Sequence, residues 1–202
     1  MSHAYEVTGS ETAYQGRIIA VRRDTVTMPG DTTSQRDVVV HPGAVGVIAL
    51  DEQGRVVLVN QYRHPVRRHL DELPAGLLDK DDEKAHLAAA RELAEEAGLG
   101  ADTWHTLVDT LTSPGMTDEA IRIYLARDLH EVHRDVQEHE ELEMTSSRVP
   151  LEEAVQRVFS GELENAMACV GLLAALEAQR RGFQGLRPAD VPWRARPGAG
   201  GA

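Results

Sequence analysis

GLLDKDDEKAHLAAARELAEEAGL, Gly76 to Leu99, sets three glutamates within five positions, Glu92, Glu95 and Glu96, beside a single arginine, Arg91. Its apolar residues recur at helical spacing, which predicts a helix over about 83–97 with Asp81 or Asp82 as N-cap and Gly98 as the stop. At about 100° per residue, Glu92 and Glu96 share one face and Glu95 borders it. Leu87, Ala90, Leu93, Ala94 and Ala97 form the opposite, apolar stripe. Like charges one turn apart cost only about 0.2–0.5 kcal/mol per pair in water, so a solvated acidic face fits this spacing. A seat for a hard divalent cation is the sharper reading, and spacing alone does not decide between them. Mg²⁺ takes oxygen ligands, keeps several waters and bridges carboxylates to phosphates, and Arg91 can hold one carboxylate in a bidentate fork.

The flanking sequence surrounds this helix with strands. RIIAVRRDTVTM (17–28) and QRDVVVH (35–41) alternate and carry β-branched residues, with MPGD as a turn between them. GAVGVIALDE and RVVLVNQYR, split by Gln53-Gly54, read as a hairpin of buried strands. WHTLVDTLTS (104–113) and EAIRIYLARDL (119–129) flank the turn SPGMTD, and a short strand is expected near Met144–Val149. Helices follow over 150–160, starting at Pro150, and over 163–181, where Leu163, Ala166, Met167, Val170 and Leu173 would supply a buried face. The stretch after Gly182 is rich in Pro and Gly and reads as loosely ordered. Strands first, one helix among them and helices late give an α/β fold: a mixed sheet with helices on its faces.

Composition narrows the chemistry. With 202 residues, 42% of them hydrophobic, the chain suits one globular domain, or one with an appended arm. A formal net charge of -12 and the absence of a Lys/Arg run argue against a nucleic-acid surface. Lysine occurs only at 80 and 84 and the other basic residues are arginine, the better fork for phosphate and carboxylate. The lone Cys169 makes no internal disulfide and reads as a buried thiol. No apolar run reaches the roughly 18 residues of a membrane span, and the N-terminus lacks a signal pattern, so a cytoplasmic protein is expected. The nine histidines show no zinc spacing; His130, His133 and His139 are expected in a solvated loop.

The segment Gly76–Leu99 resembles the Nudix box, GX5EX7REUXEEXGU with U aliphatic. From Glu83 through Arg91-Glu92-Leu93-Ala94-Glu95-Glu96-Ala97-Gly98-Leu99 every fixed position matches. Six residues rather than five separate Gly76 from Glu83, and the extra one falls in the DKDD loop, where an insertion is tolerated. Taking Asp82 as the first acid would instead lengthen the second gap, which is helical, and rotate the acid by about 100°. QYRH (61–64), ELPAGLLD (72–79), the SPGMTDE turn and HEELEMT (139–145) extend the likeness to the ADP-ribose pyrophosphatase branch of the Nudix hydrolases, actinobacterial type.

That resemblance implies an α/β/α sandwich over 43–182, preceded by an N-terminal antiparallel β-arm (1–42) exchanged in a homodimer and followed by a tail, 183–202. It implies cleavage of ADP-ribose to AMP and ribose 5-phosphate with Mg²⁺ or Mn²⁺. Residue by residue, Glu92 and Glu96 match the central metal ligands and Ala75 the backbone ligand. Glu95 and Glu83 match acids for further cations, and Arg91 matches the arginine that orients the ligands. Gly76 lets the loop pass close to the metals. Among Glu140, Glu141 and Glu143, the similarity favours Glu141 as the acid that handles the attacking water. Arg36 and Arg63 correspond to phosphate- or adenine-side arginines, and Gly115 and Glu119 to a turn near the terminal ribose. Another nucleoside diphosphate sugar or dinucleotide as substrate, or a non-catalytic ADP-ribose sensor, are the competing expectations.

Overall fold

The computed structural model describes residues 4–30, 32–80, 82–133 and 144–195. Two compact units emerge, one built on the N-terminal segment to Gly43 with Leu111–Ala120, the other on Ala44–Thr110 and Ile121–Trp193.

The first unit holds β1 (Val7–Gln15), β2 (Ala20–Met28) and β3 (Thr32–Val40), an antiparallel sheet in that order. The pattern reading missed β1, because alternation marks a strand with one buried face and every residue of VTGSETAYQ is exposed. β2 starts at Ala20 rather than Arg17, since Gly16 N–H donates to the Ile19 carbonyl at 2.9 Å and closes a turn there. Asp24 is the buried anchor of β2; it accepts from Ser10 Oγ at 2.7 Å and Arg22 Nε at 2.9 Å.

The second unit runs β4 (Ala44–Ala49), β5 (Arg55–Arg63), β6 (Arg68–Glu72), β7 (Ala75–Leu77), α1 (Ala85–Ala97), β8 (Leu99–Leu111), β9 (Ala120–Glu131), β10 (Thr145–Pro150), α2 (Leu151–Ser160), α3 (Ala166–Arg180) and β11 (Arg187–Pro188). One sheet has the order β11-β8-β9-β4-β7, with β4 parallel to β9 and antiparallel to β7; the other has the order β10-β5-β6. β4 and β5 are therefore not the hairpin expected from the Gln53-Gly54 turn. A single bridge, Leu50 to Val56, joins them before they diverge into different sheets. Both strands are buried on both faces, so alternation carries no information about their partners.

β4 lies between helices. Ala44, Ile48 and Leu50 join the core with Leu172, Ala175 and Leu176 of α3, while Val45, Val47 and Ala49 are buried on the opposite face. α1 packs on β4 and β7, so this unit is an α/β/α sandwich. The inward face of α3 agrees with the expected one only in part: Leu163, just before the helix, is buried and Met167 packs against the core. Ala168, Gly171, Leu172, Ala175, Leu176 and Ala178 are buried, whereas Ala166, Val170 and Leu173 are exposed. This helix is apolar nearly all round, so its sequence does not select a side. Cys169 is half-buried, and burial pushes its thiol pKa up.

Residues 183–195 are also better anchored than their composition suggests. β11 pairs with β8, Trp193 is buried, and Arg122 donates to the carbonyls of Val191 at 2.7 Å and Pro192 at 3.3 Å. His130 sits on strand β9, 3.6 Å from Asp102, rather than in a loop; His139 lies outside the described residues. Among the described residues no helix is long and apolar enough to cross a membrane.

Candidate active site

α1 begins at Ala85 with Lys84 as N-cap and no side-chain capping bond, two residues later than the spacing suggests. Asp82, expected as a cap, is exposed with φ 61°, and Asp81 lies outside the described residues. The helix stops at Gly98, which takes φ 65° and donates to the Ala94 carbonyl at 3.0 Å, an αL ending that glycine adopts without strain. The buried face is Ala88, Ala89, Leu93 and Glu96, while Leu87 is 52% exposed. The inward side is thus rotated toward the acids, because the Ala75 amide meets the Glu96 carboxylate there at 2.9 Å. These glutamates do not form a solvated face.

Arg91 stands at the centre of the acidic side chains. Its Nε and Nη2 fork Glu83, both at 3.1 Å, and its Nη1 donates to Glu92 at 2.6 Å and Glu95 at 2.9 Å. Of the two acids considered for the first position of the box, Glu83 is the one that reaches Arg91. The hydrogen bonds from Arg91 hold the Glu83 carboxyl below its ordinary pKa. Glu92 goes the other way: burial raises its pKa against the pull of Arg91. One guanidinium is shared by three carboxylates, and a fourth, Glu96, is buried one helical turn from Glu92.

Gly76 explains why the loop can lie against the helix. A Cβ there would fall 2.0 Å from Glu92 Oε1 and 2.1 Å from its Cδ, so any other residue would displace the carboxylate. The donors are all hard oxygens in excess over positive charge, which suits Mg²⁺ or Mn²⁺ and not a soft metal. Among the described residues no three acid, His or Cys side chains converge into a closed shell. The acids are instead gathered on Arg91 and on the Ala75 amide, where hydrogen bonds hold their carboxylates in place. The residues fit a divalent cation by donor type and charge.

The remaining expected residues divide between the units. Arg63 lies in the second unit at the end of β5, and its Nε and Nη2 fork the buried Glu72 at 2.9 and 2.6 Å. Arg36, Gly115 and Glu119 lie in the first unit. Arg36 is exposed on β3 and donates to Ser34 Oγ at 2.5 Å and the Gln35 carbonyl at 3.0 Å. Gly115 sits in an exposed turn with open space where a Cβ would point. Glu119 accepts from Thr112 Oγ1 at 2.5 Å, with His41 Nε2 3.5 Å from its other oxygen. Gly43 N–H donates to His41 Nδ1 at 3.1 Å, which leaves the ring proton on Nε2, toward Glu119. Glu141, with Glu140 and Glu143, lies outside the described residues.

Two residues escaped the sequence reading, Glu72 and His41. Glu72 had a signal: a carboxylate fixed next to the apolar Leu73-Pro74, where burial obliges it to find a partner. His41 had none in the linear sequence.

An α/β/α sandwich that sets a glycine-containing loop against an acidic helix is the arrangement of a class of phosphate hydrolases. The chain belongs to the Nudix family: residues 40–167 match the NUDIX domain, and residues 5–39 match the nucleoside diphosphate sugar hydrolase N-terminal domain. It is 50% identical over 197 residues to the ADP-ribose pyrophosphatase of Mycobacterium tuberculosis, covering 98% of this chain and 95% of that protein. To the ADP-ribose pyrophosphatase of Bacillus subtilis it is 36% identical over 177 residues, covering 84% and 94%. The crystal structure of an ADP compounds hydrolase shares the fold, with a TM-score of 0.77, 20% identity and coverage of 89% of this chain and 97% of that one.

Proposed function

We propose that this chain hydrolyses the pyrophosphate bond of ADP-ribose to AMP and ribose 5-phosphate, using Mg²⁺ or Mn²⁺. The observation that carries the reading is the carboxylate excess around Arg91, set against a loop whose Gly76 alone allows the close approach to Glu92. Near-full-length identity to proteins named ADP-ribose pyrophosphatase supports the choice of substrate.

Glu92, Glu96 and the Ala75 carbonyl would hold the cation, with Glu95 and Glu83 supporting further ions. Bound there, it supplies positive charge that neutralises the diphosphate oxygens and acidifies the attacking water. Arg91 fixes the carboxylates in place, so that little reorganisation is needed when the substrate arrives. The Ala75 amide, hydrogen-bonded to Glu96, ties the loop to the helix. Glu141, or its neighbour Glu140 or Glu143, takes the proton of the water as the water oxygen bonds to one phosphorus and that phosphorus's anhydride P–O bond breaks, the released phosphate keeping the broken bond's electrons. Arg63 and Arg36 meet the phosphate or adenine side, while Gly115 and Glu119 meet the terminal ribose. The protein works in the cytoplasm as a homodimer, with the sheet of β1–β3 exchanged between copies; light scattering that finds a monomer at working concentration contradicts this arrangement.

A panel of nucleoside diphosphate compounds, with products resolved by chromatography, tests the substrate. ADP-ribose is expected among the best by kcat/KM, yielding AMP and ribose 5-phosphate in equal amounts. A clear preference for a different nucleoside diphosphate sugar or a dinucleotide would move the assignment there, and binding without cleavage of any member would make the chain a sensor.

A further inference from the structure

The buried carboxylate of Glu72 has no part in the reaction described above, yet it occupies a special place. It ends β6 opposite Val59 of β5, and Arg63 lies four residues along β5 on that same face. The arginine therefore folds back along its strand to reach Glu72 through a two-point fork. Glu72 is 3% exposed, whereas the Arg63 side chain keeps 42% of its surface open. One partner is locked in the interior and the other is held by it at the surface.

Three residues beyond Glu72 the chain enters the cation seat. Leu73 is buried, the Pro74 carbonyl accepts from Val47 N–H at 2.9 Å, and the Ala75 amide donates to Glu96 at 2.9 Å. The segment 72–75 thus grips Arg63 at one end and Glu96 at the other, and is fastened to β4 between them. Burying the carboxylate of an ion pair is a poor device for stability alone, since apolar residues of similar size often serve as well or better. It is a good device for presenting an arginine, whose long side chain otherwise loses rotamer freedom when it binds an anion.

We infer that Glu72 is a positioning residue: it presents the Arg63 guanidinium to the diphosphate at a fixed distance from the cation seat, through the rigid segment 72–75. The inference rests on the proposed diphosphate chemistry. It assigns Glu72 to substrate capture and not to bond cleavage.

The test compares wild type, E72Q, R63A and the double variant by kcat and KM for ADP-ribose with Mg²⁺, by calorimetric Kd for ADP-ribose in EDTA, and by thermal melting. E72Q is expected to raise KM and Kd about tenfold with kcat changed less than about threefold, the cost of an arginine that must be ordered on binding. If Glu72 acts through Arg63, the double variant binds no worse than R63A. Unchanged KM and Kd in E72Q, even with a lower melting temperature, would leave Glu72 a purely structural role and overturn the inference; so would additive losses in the double variant. Should E72Q fail to fold, E72D takes its place: it keeps the charge but draws the fork back, and KM is expected to rise with kcat retained. Failure of wild type to bind or cleave ADP-ribose defeats the substrate assignment instead, and Glu72 is then judged by the same KM comparison on the best substrate of the panel.

Discussion

Two arginines of the second unit, Arg91 and Arg122, are each surrounded by acceptors, and they do opposite work. Arg122 is 2% exposed in its side chain. It forks Asp109 at 2.7 and 3.0 Å, donates to the carbonyls of Val191 and Pro192, and lies 5.0 Å from the Trp193 ring. Asp109 also accepts from Arg187 at 2.8 Å. There positive charge exceeds negative, and neutral carbonyls and an aromatic face take up the difference. Around Arg91 the imbalance has the other sign, with three carboxylates on one guanidinium. The cluster that is over-supplied with cations fastens the C-terminal segment to the sheet; the cluster with three carboxylates on one guanidinium is the one proposed to take a cation up.

Breaking each cluster should separate activity from stability. The largest effect is expected from E92Q or E96Q, which remove a ligand charge: kcat falls by about a hundredfold or more while the melting temperature holds or rises, checked by steady-state kinetics beside circular dichroism. R122L should do the converse. Leaving Asp109 with Arg187 alone and two carbonyls without their donor costs about 3 kcal/mol, which lowers the melting temperature by about 10 °C in a chain of this length, with kcat at 25 °C preserved.

Acid should distinguish the clusters more gently. Burial tends to raise the Asp109 pKa, but Arg122 and Arg187 outweigh it and hold the carboxyl below its ordinary value. A depressed native pKa stabilises the fold above the unfolded value, about pH 4, and that contribution fades as pH falls through the native value. The stability gap between wild type and D109N, measured by urea titration, should therefore be constant above about pH 4 and narrow below it. The smallest effect belongs to L87Q, which should change stability by no more than about 0.5 kcal/mol, because Leu87 is mostly exposed.

Leu87 also shows where the sequence stops being readable. The wheel through α1 placed it on the apolar stripe and Glu96 opposite, on the assumption that charge faces water. Glu96 reverses this, since a backbone amide from a loop twenty-one residues earlier compensates its burial. The clustering of the acids was legible in their helical spacing, and Arg91 gathers three of them. Glu83 was legible over Asp82 for the same geometric reason. β1 was hidden because a strand with no buried face has no pattern, and the partners of β4 and β5 because strands buried on both sides have too uniform a one. The fork between Arg63 and Glu72 depends on the register of β5 with β6, which no local signal announces.

Calorimetric titration of Mg²⁺ and Mn²⁺ into the wild-type protein and into E92Q/E96Q tests the cation seat most directly. Uptake by wild type, lost in the double variant while its far-ultraviolet circular dichroism is unchanged, is the expected result. Equal uptake by both proteins, or none by either with ADP-ribose present, would contradict the reading that these carboxylates are gathered to hold a cation.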